Sequence, residues 1–339
     1  MKVCPNCFSD KELKYYISTS SDIGDCNVCE TKEQPLLRLE ELFDFFQALL
    51  NNFKLSVTGE TLNGKIQSHW SFFSSHQSAQ KILNFVLPKI HSTISSANTL
   101  VDYTDEIIQN FSYWEVLKEE LKWKNRFILN IDKLKELEWD TFFNTSFELK
   151  PTVLLYRARL HHQSGLEPYA KENMFCPPQK VASGGRANPS GIPFLYLSDD
   201  ADTVLYEVRA SYLDELSVGV FNLNENIDSI KIVDFSEDTS LFQEDLNQIT
   251  NTIKGKLLRE RISIDLSKPM RRYDNEIEYI PTQFICEFIK VFTGANGIKF
   301  SSSLHPSGNN YVIFNQELMK CNEVNLVRVN SIELKAMNI

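Results

Sequence analysis

The sequence predicts an α+β protein: a small N-terminal four-cysteine module, then a helical bundle, then a mixed α/β domain in the C-terminal half. Three observations predict it. Two Cys-x-x-Cys pairs stand within the first 29 residues. Apolar residues then recur at helical spacing, with Gly59 and Gly64 the only glycines between residues 35 and 148. From residue 150 onward, short β-branched and aromatic runs alternate with helical stretches.

The first module covers residues 1–34. Cys4 and Cys7 form one knuckle, Cys26 and Cys29 the other, with 18 residues between them. A tetrahedral zinc ion takes four soft thiolate ligands, and two such turns supply them. Asn6 and Asn27 suit the tight turns inside the knuckles. Two disulfides or four free thiols are the competing readings, and a reducing compartment disfavours the first. A closed four-cysteine site is structural, because no coordination position is left open. Whether the module binds a partner or nucleic acid, or only caps the next domain, stays open.

Residues 35–148 read as the bundle. Leu39, Leu42, Phe43, Phe46, Leu49, Leu50 and Phe53 repeat at i, i+3, i+4 and i+7. Further helices are predicted over Ala79–Ile94, with Pro88 a kink or boundary, over Ile107–Trp123 and over Ile131–Phe143. Trp70, Phe72, Phe73, Trp114, Trp123 and Trp139 read as packing residues. His69, His76 and His91 have no ligand-like spacing.

The third segment covers residues 150–339. Strands are predicted over Thr152–Tyr156, Pro193–Leu197, Ser217–Phe221, Ile230–Val233 and Tyr311–Phe314. Helices are predicted over Thr203–Tyr212, Leu241–Arg259 and Gln283–Phe292. The basic run Lys254, Lys256, Arg259, Arg261, Lys268, Arg271 and Arg272 reads as a solvated helix face and loop. One stretch stands out, Ser183–Arg209. It joins a Gly-rich loop with Arg186, a short strand with Tyr196, and a helix opened by Ser198 or Asp199 that carries Glu207. A guanidinium, a phenol and a carboxylate on consecutive elements suit an anionic, aromatic substrate.

The 339 residues are 42% apolar and 24% charged, as in soluble globular proteins. A net charge of −10 argues against a general nucleic-acid or anionic-membrane surface, so neither is an expected partner. No apolar run approaches the roughly 18 residues of a membrane span, and MKVCPNCFSD lacks the apolar core of a signal peptide. These features predict a cytoplasmic protein with reduced cysteines.

The C-terminal motifs resemble the RES family, named for an Arg, a Glu and a Ser in separate motifs. Tyr156-Arg157 matches its first strand end. Its Gly-Arg-x-Asn-x-x-Gly loop and LYL strand are matched by Gly185–Gly191 and Leu195-Tyr196-Leu197. Glu207-Val208, Gly297–Ser302 and the Tyr-x-Pro-Thr-Gln segment Tyr279–Gln283 complete the order. Ala187 departs from the family, which often has a bulky aromatic there, and the charged insert near residues 240–275 is a second departure.

The resemblance implies an ADP-ribosyltransferase-like fold and a toxin-like enzyme with NAD as substrate, cut between nicotinamide and ribose. It implies catalytic roles for Arg157, Glu207 and Ser302, with Ser301 and Ser303 rivals to Ser302. It implies NAD-binding roles for Arg186, Tyr196, Asn188 and Tyr156. Arg159 and His305 are peripheral candidates. Residues 35–148 are similar to the HEPN-type helical domains that accompany some RES domains. The HEPN ribonuclease pairing Arg-x(4–6)-His is missing there; Arg157 to His162 is the one match, outside the bundle. The bundle is therefore read as non-catalytic, serving self-association into a homo-oligomer, sensing or restraint. Expected partners are NAD and either a separate antitoxin or self-regulation by the N-terminal part. Transfer of ADP-ribose to a protein or nucleic acid, and an NAD-sensing interaction protein without turnover, are the alternatives.

Overall fold

The fold is that of a computed structural model, described over residues 1–143, 146–269, 276–305 and 307–331. The chain forms two compact units, Met1–Tyr113 with Asp238–Leu258, and Trp114–Glu237 with Arg259–Ile339. Two of the three boundaries fall inside long helices, Asp105–Trp123 and Ile249–Ser267. No helix among the described residues is long and apolar enough to cross a membrane.

The first unit opens with β1 (Lys2–Val3), α1 (Lys11–Ser18), β2 (Ile23–Gly24), β3 (Gln34–Pro35) and β4 (Leu37–Arg38). It continues with α2 (Phe43–Leu50), β5 (Phe53–Thr61), α3 (Leu62–Trp70), α4 (His76–Val86) and β6 (Leu100–Tyr103). Helix α5 (Asp105–Trp123) begins here. The segment read as all-helical thus also holds a strand pair. Helix α2 stops at Leu50, and Phe53 opens β5, which pairs antiparallel with β6. A single apolar residue such as Phe53 fits the last turn of a helix and the first position of a strand equally well. One core joins Cys4, Cys7 and Cys26 to Phe8, Phe45, Phe46, Phe72 and Leu257.

Asp10 ties the charged insert to the N-terminal module. It caps α1 through the Leu13 amide, and its two oxygens accept from the amides of Leu241 and Phe242 and from Ser240 Oγ. Three of the insert's basic residues are not a solvated face, whereas Lys268 is exposed. Lys254, Lys256 and Arg259 are all buried. Lys254 pairs with Glu106, and Lys256 lies over the Trp70 ring near Asp238. In the second unit, Arg259 donates to the Phe142 carbonyl. Charges reached through long apolar stems can be buried once carboxylates and carbonyls meet them, which composition does not reveal. Arg271 and Arg272 lie outside the described residues.

The second unit continues with α6 (Ile131–Glu136), α7 (Trp139–Phe142), β7 (Ser146–Leu149), β8 (Leu155–Leu160) and β9 (Leu195–Ser198). Then come α8 (Ala201–Glu207), β10 (Glu215–Leu223), β11 (Ile230–Asp234), α9 (Ile249–Ser267) and α10 (Ile280–Phe292). The chain closes with β12 (Gly297–Ser301), β13 (Asn309–Ile313) and β14 (Met319–Arg328). Among the expected packing residues, Trp114 and Trp139 are buried, but Trp123 is 64% exposed at the end of α5.

The eight-stranded sheet runs β14-β10-β8-β9-β13-β12-β11-β7. All its pairs are antiparallel except β11–β12. A parallel pair needs a long crossover, and α9 and α10 lie in that connection. Strand alternation gives two apolar faces. Leu155, Leu195, Leu197, Phe221, Ile232, Tyr311 and Ile313 cluster on one. Ala158, Leu216 and Val218 cluster with Val204 of α8 on the other.

Candidate active site and metal centre

A cavity of about 320 Å³ opens beside α8, where β8 and β9 part. Its wall contains Arg157 of β8, Gly185 and Arg186 of the glycine-rich loop, Tyr196 and Ser198 of β9, and Val204 and Glu207 of α8. Phe300 of β12, Asn310 of β13 and the apolar Ala158, Leu197 and Val208 complete it. Arg157, Arg186 and Glu207, from three separate sequence motifs, therefore meet at one site.

Hydrogen bonds shape the loop. The Gly185 amide donates to the Asn188 carbonyl at 2.8 Å. Tyr196 OH accepts from the Ala187 amide at 2.9 Å and donates to Asn188 Oδ1 at 2.8 Å. A Cβ at Gly185 would lie 2.7 Å from that phenol oxygen and 2.8 Å from Asn188 Oδ1, so any side chain there would push this hydrogen-bonded pair aside. The start of α10 clamps the loop from outside. Thr282 Oγ1 donates to the Arg186 carbonyl at 2.6 Å, and Gln283 Nε2 to the Gly185 carbonyl at 2.8 Å. This gives the Tyr279–Gln283 motif its local role. Arg186 NH1 donates to the Leu266 carbonyl at 2.8 Å, where the C-terminal end of α9 favours a cation.

Arg157 stands where the sheet opens. Strands β8 and β9 pair only at Tyr156–Ser198. Beside this opening, Arg157 NH1 donates to the Tyr196 carbonyl at 3.1 Å, while its Nε is buried without a partner. Burial, and then the charge of Arg159, push the Arg157 pKa down to about 10. The group stays cationic at neutral pH.

Glu207 is held by one oxygen. Its Oε1 accepts from Ser302 Oγ at 2.8 Å and from Asn310 Nδ2 at 2.7 Å. No hydrogen bond engages Oε2 among the described residues. Ser302 is buried and continues the parity of Phe300, whereas Ser301 is exposed at the end of β12.

The other expected residues are placed differently. Asn188 is buried and shapes the loop without lining the cavity. Tyr156 packs beside Ala158 and Val204 and is not in the cavity wall. Tyr196 lines the cavity, but its hydroxyl is spent within the loop, and burial pushes its pKa upward. Ala187 is fully buried and does not line the cavity. Arg159 donates to the Phe175 carbonyl. Asn310 is the residue missed by sequence reasoning. Its signal is a polar side chain inside the apolar strand Asn309–Ile313, where a buried amide needs a partner.

In the first unit, the Sγ atoms of Cys4, Cys7, Cys26 and Cys29 all lie within 4.8 Å of one another. The nearest pairs cross between knuckles, Cys4–Cys29 at 3.3 Å and Cys7–Cys26 at 3.4 Å. Metal–sulfur bonds of about 2.3 Å in a tetrahedron require sulfur spacings near ~3.8 Å. Spacing and donor set therefore fit a closed structural metal site.

No curated protein and no solved structure matches the chain. The family model of the RES domain matches residues 154–333, more than half of the 339 residues and the whole of the segment that builds the cavity. The chain belongs to the RES domain family.

Proposed function

We propose that this protein consumes NAD by breaking the bond between nicotinamide and ribose, with water or phosphate as acceptor. The observation that carries this reading is the charge set of the cavity: one carboxylate, Glu207, with two arginines. Glycoside hydrolysis ordinarily needs two carboxylates, one of them to protonate the leaving group. Nicotinamide in NAD is already a cationic pyridinium. When the C–N bond breaks, its electron pair leaves with a neutral ring, and no acid is required. A single carboxylate then suffices to stabilise the oxocarbenium-like ribose, and Glu207 Oε2 is free to accept from a ribose hydroxyl.

The two arginines supply the rest. Neither Arg157 nor Arg186 has a carboxylate partner among the described residues. A diphosphate would complete both by charge-assisted, forked hydrogen bonds. Tyr196 and Phe300 offer ring surface to the nicotinamide or ribose. Tyr156 and Asn188 support this binding through strand and loop rather than by contact. The cavity is at the small end for a ligand site, so it suits the nicotinamide–ribose part of the dinucleotide.

The four cysteines are read as a zinc site. Residues 1–34, 35–148 and 150–339 are read as zinc module, HEPN-like non-catalytic segment and toxin-like catalytic domain. The N-terminal segments are the proposed place of restraint, dimerisation or antitoxin contact.

The test is nicotinamide release from NAD by the purified chain and by Glu207→Gln. Release by the native chain, falling at least ~100-fold in the variant, is expected. Equal rates would remove Glu207 from the chemistry, and intact NAD with folded native protein would sink the reading. Adenine-labelled NAD distinguishes acceptors, since label on a macromolecule would favour ADP-ribosyl transfer.

A further inference from the structure

We propose that His305 is a positioning residue for Glu207, acting through Ser302; its kinetic consequence rests on the functional reading above. Ser302 Oγ accepts from the amides of Leu304 and His305, each at 3.2 Å. A hydroxyl has one proton and two lone pairs. With both lone pairs engaged, the proton of Ser302 is aimed at Glu207 Oε1. The direction of that bond, and hence which carboxylate oxygen stays free, depends on the 302–305 turn.

His305 holds the turn from its far end. Its Nδ1 lies 2.7 Å from Thr203 Oγ1, and its ring stacks on Tyr206 with centroids 5.0 Å apart and planes 8° apart. Asp200 Oδ2 lies 3.0 Å from Thr203 Oγ1 and also accepts from the Thr203 amide. The Thr203 proton therefore goes to the carboxylate, leaving His305 Nδ1–H to Thr203 Oγ1, with Asp200 Oδ2 a longer second acceptor at 3.4 Å. That tautomer leaves Nε2 to accept from Ser307 Oγ at 3.3 Å.

Thr203 and Glu207 are one turn apart on α8, so they project from the same side of the helix. Two rungs, Thr203–His305 and Glu207–Ser302, thus staple the loop along the helix. Gly308 lets the returning backbone pass over the first rung, since a Cβ there would overlap Thr203 Oγ1.

Two measurements test the staple on the full chain. The first is hydrogen exchange of the Leu304 and His305 amides, which needs no activity. The second is kcat and KM for NAD. In His305→Ala, exchange of both amides should speed at least ~10-fold and kcat should fall at least ~10-fold, with KM changed less than ~3-fold. His305→Asn, which can place an amide N–H near the Nδ1 position, should recover most of both. Thr203→Val should reproduce the alanine defect with the imidazole intact. Unchanged exchange in His305→Ala overturns the staple whatever the activity. Faster exchange with unchanged kcat overturns the positioning role. A native chain that leaves NAD intact overturns the functional reading, and the exchange result still decides the staple.

Discussion

At the scale of single residues, Arg157 shows how the site trades stability for binding. The residue as a whole is half-buried, but its guanidinium Nε is buried without a partner, and the group makes one hydrogen bond to a carbonyl and has no carboxylate partner among the described residues. An uncompensated buried cation weakens a fold, and an apolar residue of similar length relieves it. Arg157→Met should therefore melt no lower than the native chain while losing at least ~10-fold in affinity for NAD or ADP-ribose. Arg157→Lys should bind in between, keeping charge but losing the fork. Calorimetric melting and titration on the same samples check both, and a melting point more than a few degrees lower in Arg157→Met would show the cation is satisfied. Arg157, Arg186 and Glu207 were legible only together, through motifs that keep the order of the RES family; singly, each reads as an ordinary strand-end, loop or helix-surface charge. Asn310 was not, because Asn309 and Asn310 together look like turn residues, and only the fold turns the second toward Glu207.

At the scale of elements, the sheet depends on close backbone approach between β12 and β13. Gly297 opens β12 opposite Ile313, and a Cβ there would overlap the Val312 carbonyl oxygen. Backbone cannot give way without breaking the ladder, so Gly297→Ala should destabilise by about 1–3 kcal/mol in denaturant unfolding. A variant as stable as the native chain would contradict this packing. Helix α3 gives a pH signature of its own. His69 is half-buried near the Tyr103 ring, and burial, followed by the charges of Lys65 and Lys256, lowers its pKa. The unfolded chain then binds more protons than the folded one below the ordinary histidine pKa of about 6.5. Stability from this group is present above that pH and is lost as pH falls through the window beneath it. His69→Gln should flatten the fall in urea stability between about pH 7 and 5, and an unchanged slope would place the acid sensitivity elsewhere. Sequence periodicity located α5, α10, β9, β10, β11 and β13 well, but set β8 too early, over Thr152–Tyr156 instead of Leu155–Leu160. It missed β14, whose run MKCNEVNLVR pairs with β10 alone at the sheet edge and mixes polar with apolar residues on a half-exposed surface.

At the scale of the whole molecule, the order of motifs and the cysteine spacing were legible because each is local in sequence. The return of residues 238–258 to the N-terminal unit was not, because Asp10 meets Ser240 and Leu241 only once the chain is folded. That return makes the four-cysteine centre part of a large core rather than a detached knuckle: Cys4, Cys7 and Cys26 share it with Phe45, Phe72 and Leu257. Metal binding by such a centre is coupled to folding. The native chain should carry one zinc per molecule by elemental analysis. Cys26→Ser, or prolonged chelation, should remove it and lower the melting temperature by roughly 5–10 °C, as expected for the loss of a few kcal/mol in a domain of this size. Four cysteine ligands leave no coordination position for a substrate or reactive water. The initial rate of NAD cleavage, measured well below the lowered transition, should therefore stay within about twofold of native. A rate that collapses with the metal while the melting curve holds would make the centre a participant in the chemistry, and the single carboxylate at Glu207 would no longer suffice as its account.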